Sequence, residues 1–153
     1  MNLIEQAKKQ AAQAVLDAYH AAAAAGELPQ GDVPAVAVEI PKDTKNGDYA
    51  SSFAMQCARA LHMAPRKIAE ALVAHIALDG TYFEEISIAG PGFLNFHLGK
   101  KWYADAVQLV SDMGKDYGRL TVEHPEKIMV EFVSANPTGP MHMGNARGGV
   151  LGD

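Results

Sequence analysis

A histidine and an asparagine, His142 and Asn145, stand three positions apart near the end of the chain. They follow a turn rich in proline and glycine, and they open a stretch whose pattern predicts the start of a helix. A helix start presents unpaired backbone N–H groups and the positive end of the helix dipole, so it favours anions. Both side chains can donate to a phosphate oxygen, and Gly144 leaves room for close approach. The segment therefore predicts a phosphate site, whose donors stabilise charge that develops during phosphoryl-group chemistry.

Glu131 is the second residue that points to a ligand. It interrupts the apolar run Ile128 to Val133, and a buried carboxylate is costly unless it is paired. Open α/β sheets bind ligands at the carboxyl ends of their strands, so Glu131 can pair with a cationic group there. Asn136 can hold an amino or carboxylate group nearby. Without further context, a surface histidine that caps a helix and an edge-strand carboxylate that faces water remain alternatives.

The rest of the sequence predicts the elements that position these residues. Hydrophobic spacing predicts helices over 2–25, 48–62, 65–78 and 101–113, and strands over 35–40, 83–89 and 93–98. Residues 1–113 are therefore expected to form an α+β domain, with helices packed on a small, mainly antiparallel sheet. Residues 114–126 read as a linker. Ile128 to Val133 reads as a central parallel strand that lacks its neighbours, so we expect residues 127–153 to begin a second domain of a longer protein.

Composition narrows the possible classes. The chain has 153 residues, a net charge of −5 and a hydrophobic fraction of 48%, which indicates a globular protein rather than a general nucleic-acid binder. A local basic patch for RNA remains open. The single cysteine, Cys57, forms no intrachain disulfide and favours a cytoplasmic location. No apolar run is long enough to span a membrane, and the histidines show no metal-ligand spacing, so we predict no metal site.

Four sequence segments carry a family resemblance. The stretch Glu131 to Gly149, with its Asn-Pro-Thr-Gly-Pro-Met-His-Met-Gly-Asn core, closely resembles the first signature of bacterial-type arginyl-tRNA synthetases, a class I family. The segments 46–50, 65–69 and 88–96 resemble the N-terminal additional domain of that family. The His-x-Gly-His/Asn core alone also occurs in other nucleotidyl transferases, but together with the other segments it is specific. Asn145 replaces the second histidine of the signature, and its amide still donates a hydrogen bond.

The resemblance implies an activity for the full-length protein. It would activate L-arginine with ATP, with Mg²⁺ expected, and esterify the arginine to tRNA(Arg), as a cytoplasmic monomer. Its catalytic domain would be Rossmann-like and would begin in residues 127–153, so this part alone would be inactive. The N-terminal domain would contact the tRNA elbow near the D-loop.

The resemblance also assigns roles to single residues. His142 and Asn145 would be catalytic, and ATP would contact His142, Gly144 and Asn145. Arginine would be held by Glu131, Ser134, Asn136 and His142, with Glu131 facing the guanidinium group.

Candidates for RNA contact surround the Asn46-Gly47 turn: Lys42, Lys45, Asn46, Tyr49 and Arg66. The cations can meet phosphates, and Tyr49 can stack on an unpaired base. A solvated charged face and a packing tyrosine are the alternatives, and Phe93, Phe96 and Trp102 are assigned to the core. Two other functions stay open for the chain, namely a free-standing RNA-binding module without catalysis and a different nucleotidyl transferase.

Overall fold

The computed structural model describes residues 2–119 and 124–153. They form two compact units, residues 1–117 and 118–153. The first unit contains the helices α1 (Leu3–Ala24), α2 (Phe53–Cys57), α3 (Pro65–His75) and α4 (Lys100–Met113), and the strands β1 (Tyr49–Ser51), β2 (Phe83–Ala89) and β3 (Phe93–Leu98). The 3₁₀ turns Thr44–Asn46 and Gly114–Asp116 also belong to it. The second unit contains helix α5 (Met143–Gly152). None of the described helices is long and apolar enough to cross a membrane.

Helix α1 forms one side of the core. It begins after Asn2, whose side-chain oxygen accepts from the N–H groups of Ile4 and Glu5 at 3.1 and 3.3 Å and so caps the helix. Its buried face is rich in alanine, which lets α3 pack closely against it. The buried residues of this face are Leu3, Ala7, Ala11, Ala14, Val15, Ala18, Tyr19 and Ala22.

The sheet has the order β1-β3-β2 and is antiparallel throughout. Strand β3 alternates between its two faces: Leu94 and Phe96 are completely buried in the core beneath the helices. Phe93 and Asn95 point to the opposite side, which we call the outer face. The outer face also carries Ala50 of β1, opposite Asn95. The expected α+β fold with a small antiparallel sheet is thus confirmed.

Several element boundaries differ from the sequence predictions. The helix expected from Asp48 is replaced by strand β1 and the short helix α2. Asp48 does not cap a helix: its N–H donates to Phe96 O at 2.9 Å and its carboxylate accepts from Leu98 N at 2.8 Å. The strand expected over 35–40 is reduced to one bridge between Glu39 and Ala50. Helix α3 ends at His75, because Ile76 is already extended.

The Rossmann-like start of the second unit stays a prediction. The described residues 128–133 form no strand, and they are exposed, including Met129 and Phe132. A parallel strand is stable only when neighbouring strands satisfy its backbone groups. The helix predicted to start near His142 is present as α5.

Candidate functional site

A groove of about 360 Å³ lies on the outer face of the sheet. Its walls come from the loop that follows Glu39 and from the turn between β2 and β3. The loop lies beside β1 because Glu39 and Ala50 exchange two backbone hydrogen bonds, of 2.9 and 2.8 Å. The lining residues are Glu39, Pro41, Lys42, Asn46, Ala50, Ala89, Gly90, Pro91, Phe93 and Asn95.

Asn95 is the most informative residue of this groove. It is only 3% exposed, yet within residues 2–119 and 124–153 its side chain makes no hydrogen bond. Small side chains lie beside it on both neighbouring strands, Ala50 on β1 and Ser87 on β2. Neither polar atom of this amide is fully buried without a partner, so both stay accessible from the groove that Asn95 lines. An accessible amide in a groove can donate a hydrogen bond to a polar ligand and accept one from it.

Phe93 provides the aromatic wall of the groove. It was assigned to the core from the sequence, but it is partly exposed and lies outside the hydrophobic core cluster that holds Phe96. Trp102, by contrast, packs against that cluster, and its Nε1–H donates to Leu3 O at 3.3 Å. Sequence reasoning therefore missed Phe93 and Asn95 as site residues. The available signal was an amide between two phenylalanines of strand β3, at the position that alternates with Leu94 and Phe96.

Four of the five predicted RNA-contact residues gather around this groove. Lys42 and Asn46 line it, and Lys45 is exposed in the same loop. Arg66, in the first turn of α3, donates from Nη1 to Gly90 O at 3.4 Å and from Nε to Glu70 at 3.2 Å. Its guanidinium group therefore lies at the rim formed by the β2–β3 turn.

Tyr49 does not join this cluster. It is 3% exposed, its ring meets Phe83 edge-on at 5.7 Å, and its O–H donates to Ile4 O at 3.4 Å. Burial, together with the nearby Asp48 and Glu5 carboxylates, raises the pKa of Tyr49. The expected stacking of Tyr49 on a base is therefore wrong for this structure, and the packing alternative accounts for the residue.

Glycines at both rims hold the backbone of the groove in place. Gly47 has φ of +81°, and a Cβ there would lie 2.7 Å from Phe96 O. Gly92 has φ of +139°, and its Cβ would lie 2.9 Å from Pro65 O. The glycines of two family-like segments therefore permit close backbone contacts that any other side chain would block.

A separate groove of about 340 Å³ occupies the turn of the second unit. Ser134, Asn136, His142 and Asn145, all predicted site residues, line it together. Glu131 is exposed and does not line this groove. The predicted arginine-binding residues are therefore brought together without the carboxylate.

His142 and Asn145 make reciprocal hydrogen bonds at the start of α5. Nδ1 of His142 accepts from the N–H of Gly144 at 3.1 Å, and Oδ1 of Asn145 accepts from the N–H of His142 at 3.1 Å. Both side chains thus cap the helix. In the described parts of the chain, no group of three or more His, Cys, Asp or Glu side chains is arranged to hold a metal ion.

Comparison with known proteins gives one consistent family. Residues 4–98 match the model of the arginyl-tRNA synthetase N-terminal domain. Arginine–tRNA ligases of Acetivibrio thermocellus and Caldanaerobacter subterraneus subsp. tengcongensis are 45% and 47% identical over 152 residues, which is 99% of this chain. The chain spans 27% of the length of these relatives.

A solved structure agrees with the fold. The crystal structure of arginyl-tRNA synthetase from Plasmodium falciparum matches with a TM-score of 0.52 at 20% identity, over 65% of this chain and 17% of that one. The family match lies upstream of the His-x-Gly-Asn turn and so does not depend on the motif shared with other nucleotidyl transferases. The chain belongs to the arginyl-tRNA synthetase family and contains its N-terminal domain.

Proposed function

We propose that this chain contributes the tRNA-contacting domain and the first nucleotide-binding turn of an arginine–tRNA ligase. The whole protein would activate arginine with ATP and transfer it to tRNA(Arg), in the cytoplasm and as a monomer. The observation that carries the RNA role is the accessible amide of Asn95, in a groove that Lys42 lines and that has Arg66 at its rim.

The groove suits a single unpaired base. Phe93 offers a ring for stacking, and stacking of a base on an aromatic side chain contributes about 1–3 kcal/mol. The amides of Asn95 and Asn46 can each donate to and accept from a base edge. Lys42 lines the groove and Arg66 lies at its rim, and in this proposal they would contact the phosphates on either side of that base. A loop of the tRNA elbow presents unpaired bases of this kind.

The turn of the second unit suits phosphates and the arginine backbone. His142 and Asn145 would contact ATP and act as the catalytic donors, while Gly144 allows close approach. Ser134 and Asn136 would hold arginine. Glu131 would face the guanidinium group once the remainder of the catalytic domain is present.

Mg²⁺ would accompany the ATP phosphates. The lining of the turn groove offers hydroxyl and amide groups and no carboxylate, and Mg²⁺ is commonly bound by substrate phosphates and water with few protein ligands. These residues therefore fit a nucleotide-borne ion rather than a dedicated protein site for the metal.

We assign a separate role to each of three consecutive segments of the chain. Residues 1–113 would bind tRNA, residues 114–126 would link, and residues 127–153 would begin the Rossmann-like catalytic domain. On that basis the chain binds tRNA but does not activate arginine. A free-standing RNA-binding module without catalysis is the alternative, and the compactness of residues 1–117 favours it.

Two measurements test the proposal. The 153-residue chain is titrated with tRNA(Arg) transcript and with a non-cognate tRNA at low and moderate salt. We expect salt-sensitive binding that is tighter for tRNA(Arg), whereas equal binding of both tRNAs favours a general RNA module. Absence of any salt-sensitive binding refutes the RNA role. ATP–pyrophosphate exchange with arginine and tRNA present should be undetectable, and measurable exchange would refute the predicted inactivity.

A further inference from the structure

The hydrogen bonds at the start of α5 restrict which atoms of His142 and Asn145 carry hydrogens. Each bond has a backbone N–H as its donor: Gly144 N–H points to Nδ1 of His142, and His142 N–H points to Oδ1 of Asn145, both at 3.1 Å. A backbone N–H can only donate. The two contacted side-chain atoms must therefore be acceptors.

The remaining atoms of both side chains are then donors. A neutral imidazole has one acceptor and one donor nitrogen, so acceptance at Nδ1 leaves the proton on Nε2. Similarly, acceptance at Oδ1 fixes the amide orientation of Asn145 and leaves its Nδ2 hydrogens free. In the described parts of the chain, neither donor has a partner, and both residues line the turn groove.

Gly144 makes this arrangement possible. A Cβ at this position would lie 3.0 Å from Cε1 and 3.1 Å from Nδ1 of His142. Such distances are tighter than ordinary contacts, and both involve the imidazole ring itself. Because Gly144 has no side chain, the imidazole ring of His142 can pack directly against the first turn of α5.

We infer that Gly144 and the Asn145 carbonyl oxygen are positioning groups, which fix His142 as the Nε2–H tautomer and leave both side chains as donors before any nucleotide arrives. That these donors bind a phosphate rests on the proposed function. The tautomer of His142 and its packing against Gly144 do not depend on that function. The inference also gives position 145 a requirement, because its side chain must combine an acceptor for the His142 N–H with a separate donor. Asparagine meets this requirement, whereas aspartate keeps only the acceptor.

Nitrogen-15 NMR of the 153-residue chain tests the arrangement directly. At about pH 8.5, where an ordinary imidazole is neutral, the wild-type chain should show a coupling through the hydrogen bond between Gly144 N and His142 Nδ1. Gly144→Ala should abolish this coupling and move the tautomer ratio of His142 towards that of the exposed His124. Gly148→Ala is the matched control. It adds the same methyl group to α5, but its Cβ meets only Phe132 O, at 3.5 Å, so the coupling should persist.

Two further variants test position 145. Asn145→Asp should preserve slow amide exchange at His142, and Asn145→Ala should lose it. A proton found on Nδ1 of the wild-type ring, a coupling that survives Gly144→Ala, or equal exchange in the two Asn145 variants would each overturn the inference. ATP titration of the full-length ligase, observed at the His142 ring nitrogens, tests the nucleotide role separately. A full-length protein that binds ATP without any change at His142 refutes the phosphate contact and leaves the positioning of His142 intact.

Discussion

The substitution Asn95→Ala tests whether the groove on the outer face binds an RNA base. We expect it to weaken tRNA binding while leaving the free energy of unfolding nearly unchanged. Asn95→Ala deletes an amide that makes no hydrogen bond within the described residues and whose polar atoms stay accessible from the groove. The substitution therefore breaks no hydrogen bond and leaves no buried polar group unpaired. We therefore expect the free energy of unfolding to stay within about 1 kcal/mol of the wild type.

The affinity for tRNA should respond differently. If Asn95 makes one hydrogen bond to a base, its loss weakens binding by about 0.5–1.5 kcal/mol. This corresponds to roughly a two- to twelvefold higher Kd for tRNA(Arg). Ser87→Ala is the matched control, because Ser87 lies opposite Asn95 on β2 but does not line the groove. Its affinity should equal that of the wild type.

Urea denaturation and filter binding of the same preparations supply both values. The neighbouring Leu94 calibrates the stability scale: it is fully buried in the core, and Leu94→Ala should cost about 2–5 kcal/mol. If Asn95→Ala is as destabilising as Leu94→Ala and binds tRNA as tightly as the wild type, the amide has a structural role. That result would refute the argument for a base-binding groove.

Three further predictions concern the backbone at Gly92, the thiol of Cys57 and the positive charge of Lys45. Gly92→Ala should lower the free energy of unfolding by about 1–3 kcal/mol in urea denaturation, because φ is +139° and the new Cβ approaches Pro65 O. Gly80→Ala, with φ of +78° and open space around it, should cost less. Burial raises the pKa of Cys57 to about 11, so its thiol should resist alkylation at neutral pH until the chain unfolds. Between pH 9 and pH 10 the Cys57 thiol ionises in the unfolded chain but not in the folded chain. The free energy of unfolding in urea should therefore fall by on the order of 1 kcal/mol over this range. An unchanged free energy of unfolding would contradict this. Lys45→Gln should weaken cognate and non-cognate tRNA equally and lower the salt slope by about 0.7–0.9, and a loss confined to tRNA(Arg) would contradict a phosphate contact.

Local patterns predicted much of the first unit. Helical spacing of apolar residues placed α1 and α4 within a residue or two of their observed bounds, and the Gly-Pro-Gly turn predicted the β2–β3 hairpin. Strand β1 was missed because its three residues are all buried, so they show no alternation. Its pairing with β3, for which Tyr49 lies opposite Phe96, is a long-range contact that local sequence does not encode.

The candidate sites likewise combine features that local sequence predicts with features that depend on long-range contacts. The sequence predicts RNA contacts for Lys42 and Arg66, and this stays a prediction. The groove beside them depends on the Glu39–Ala50 bridge and on the small residues of the outer face, which local sequence does not reveal. Tyr49 was misassigned because an aromatic residue after a turn has the same local appearance whether it packs or stacks. Residues 128–133 form no strand here, since the backbone partners of a parallel strand are not among the described residues.

Strand β3 contributes side chains both to the hydrophobic core and to the groove on the outer face. Leu94 and Phe96 enter the core, while the intervening Phe93 and Asn95 line the groove. A shift of one residue in its pairing with β1 and β2 would send the amide into the core and Leu94 to the outer face. A chain paired in that way would lose its hydrophobic packing and its binding groove together. Under the proposed function, correct pairing of β3 is therefore a precondition of tRNA binding, and a copy with shifted pairing cannot compete for tRNA through this groove.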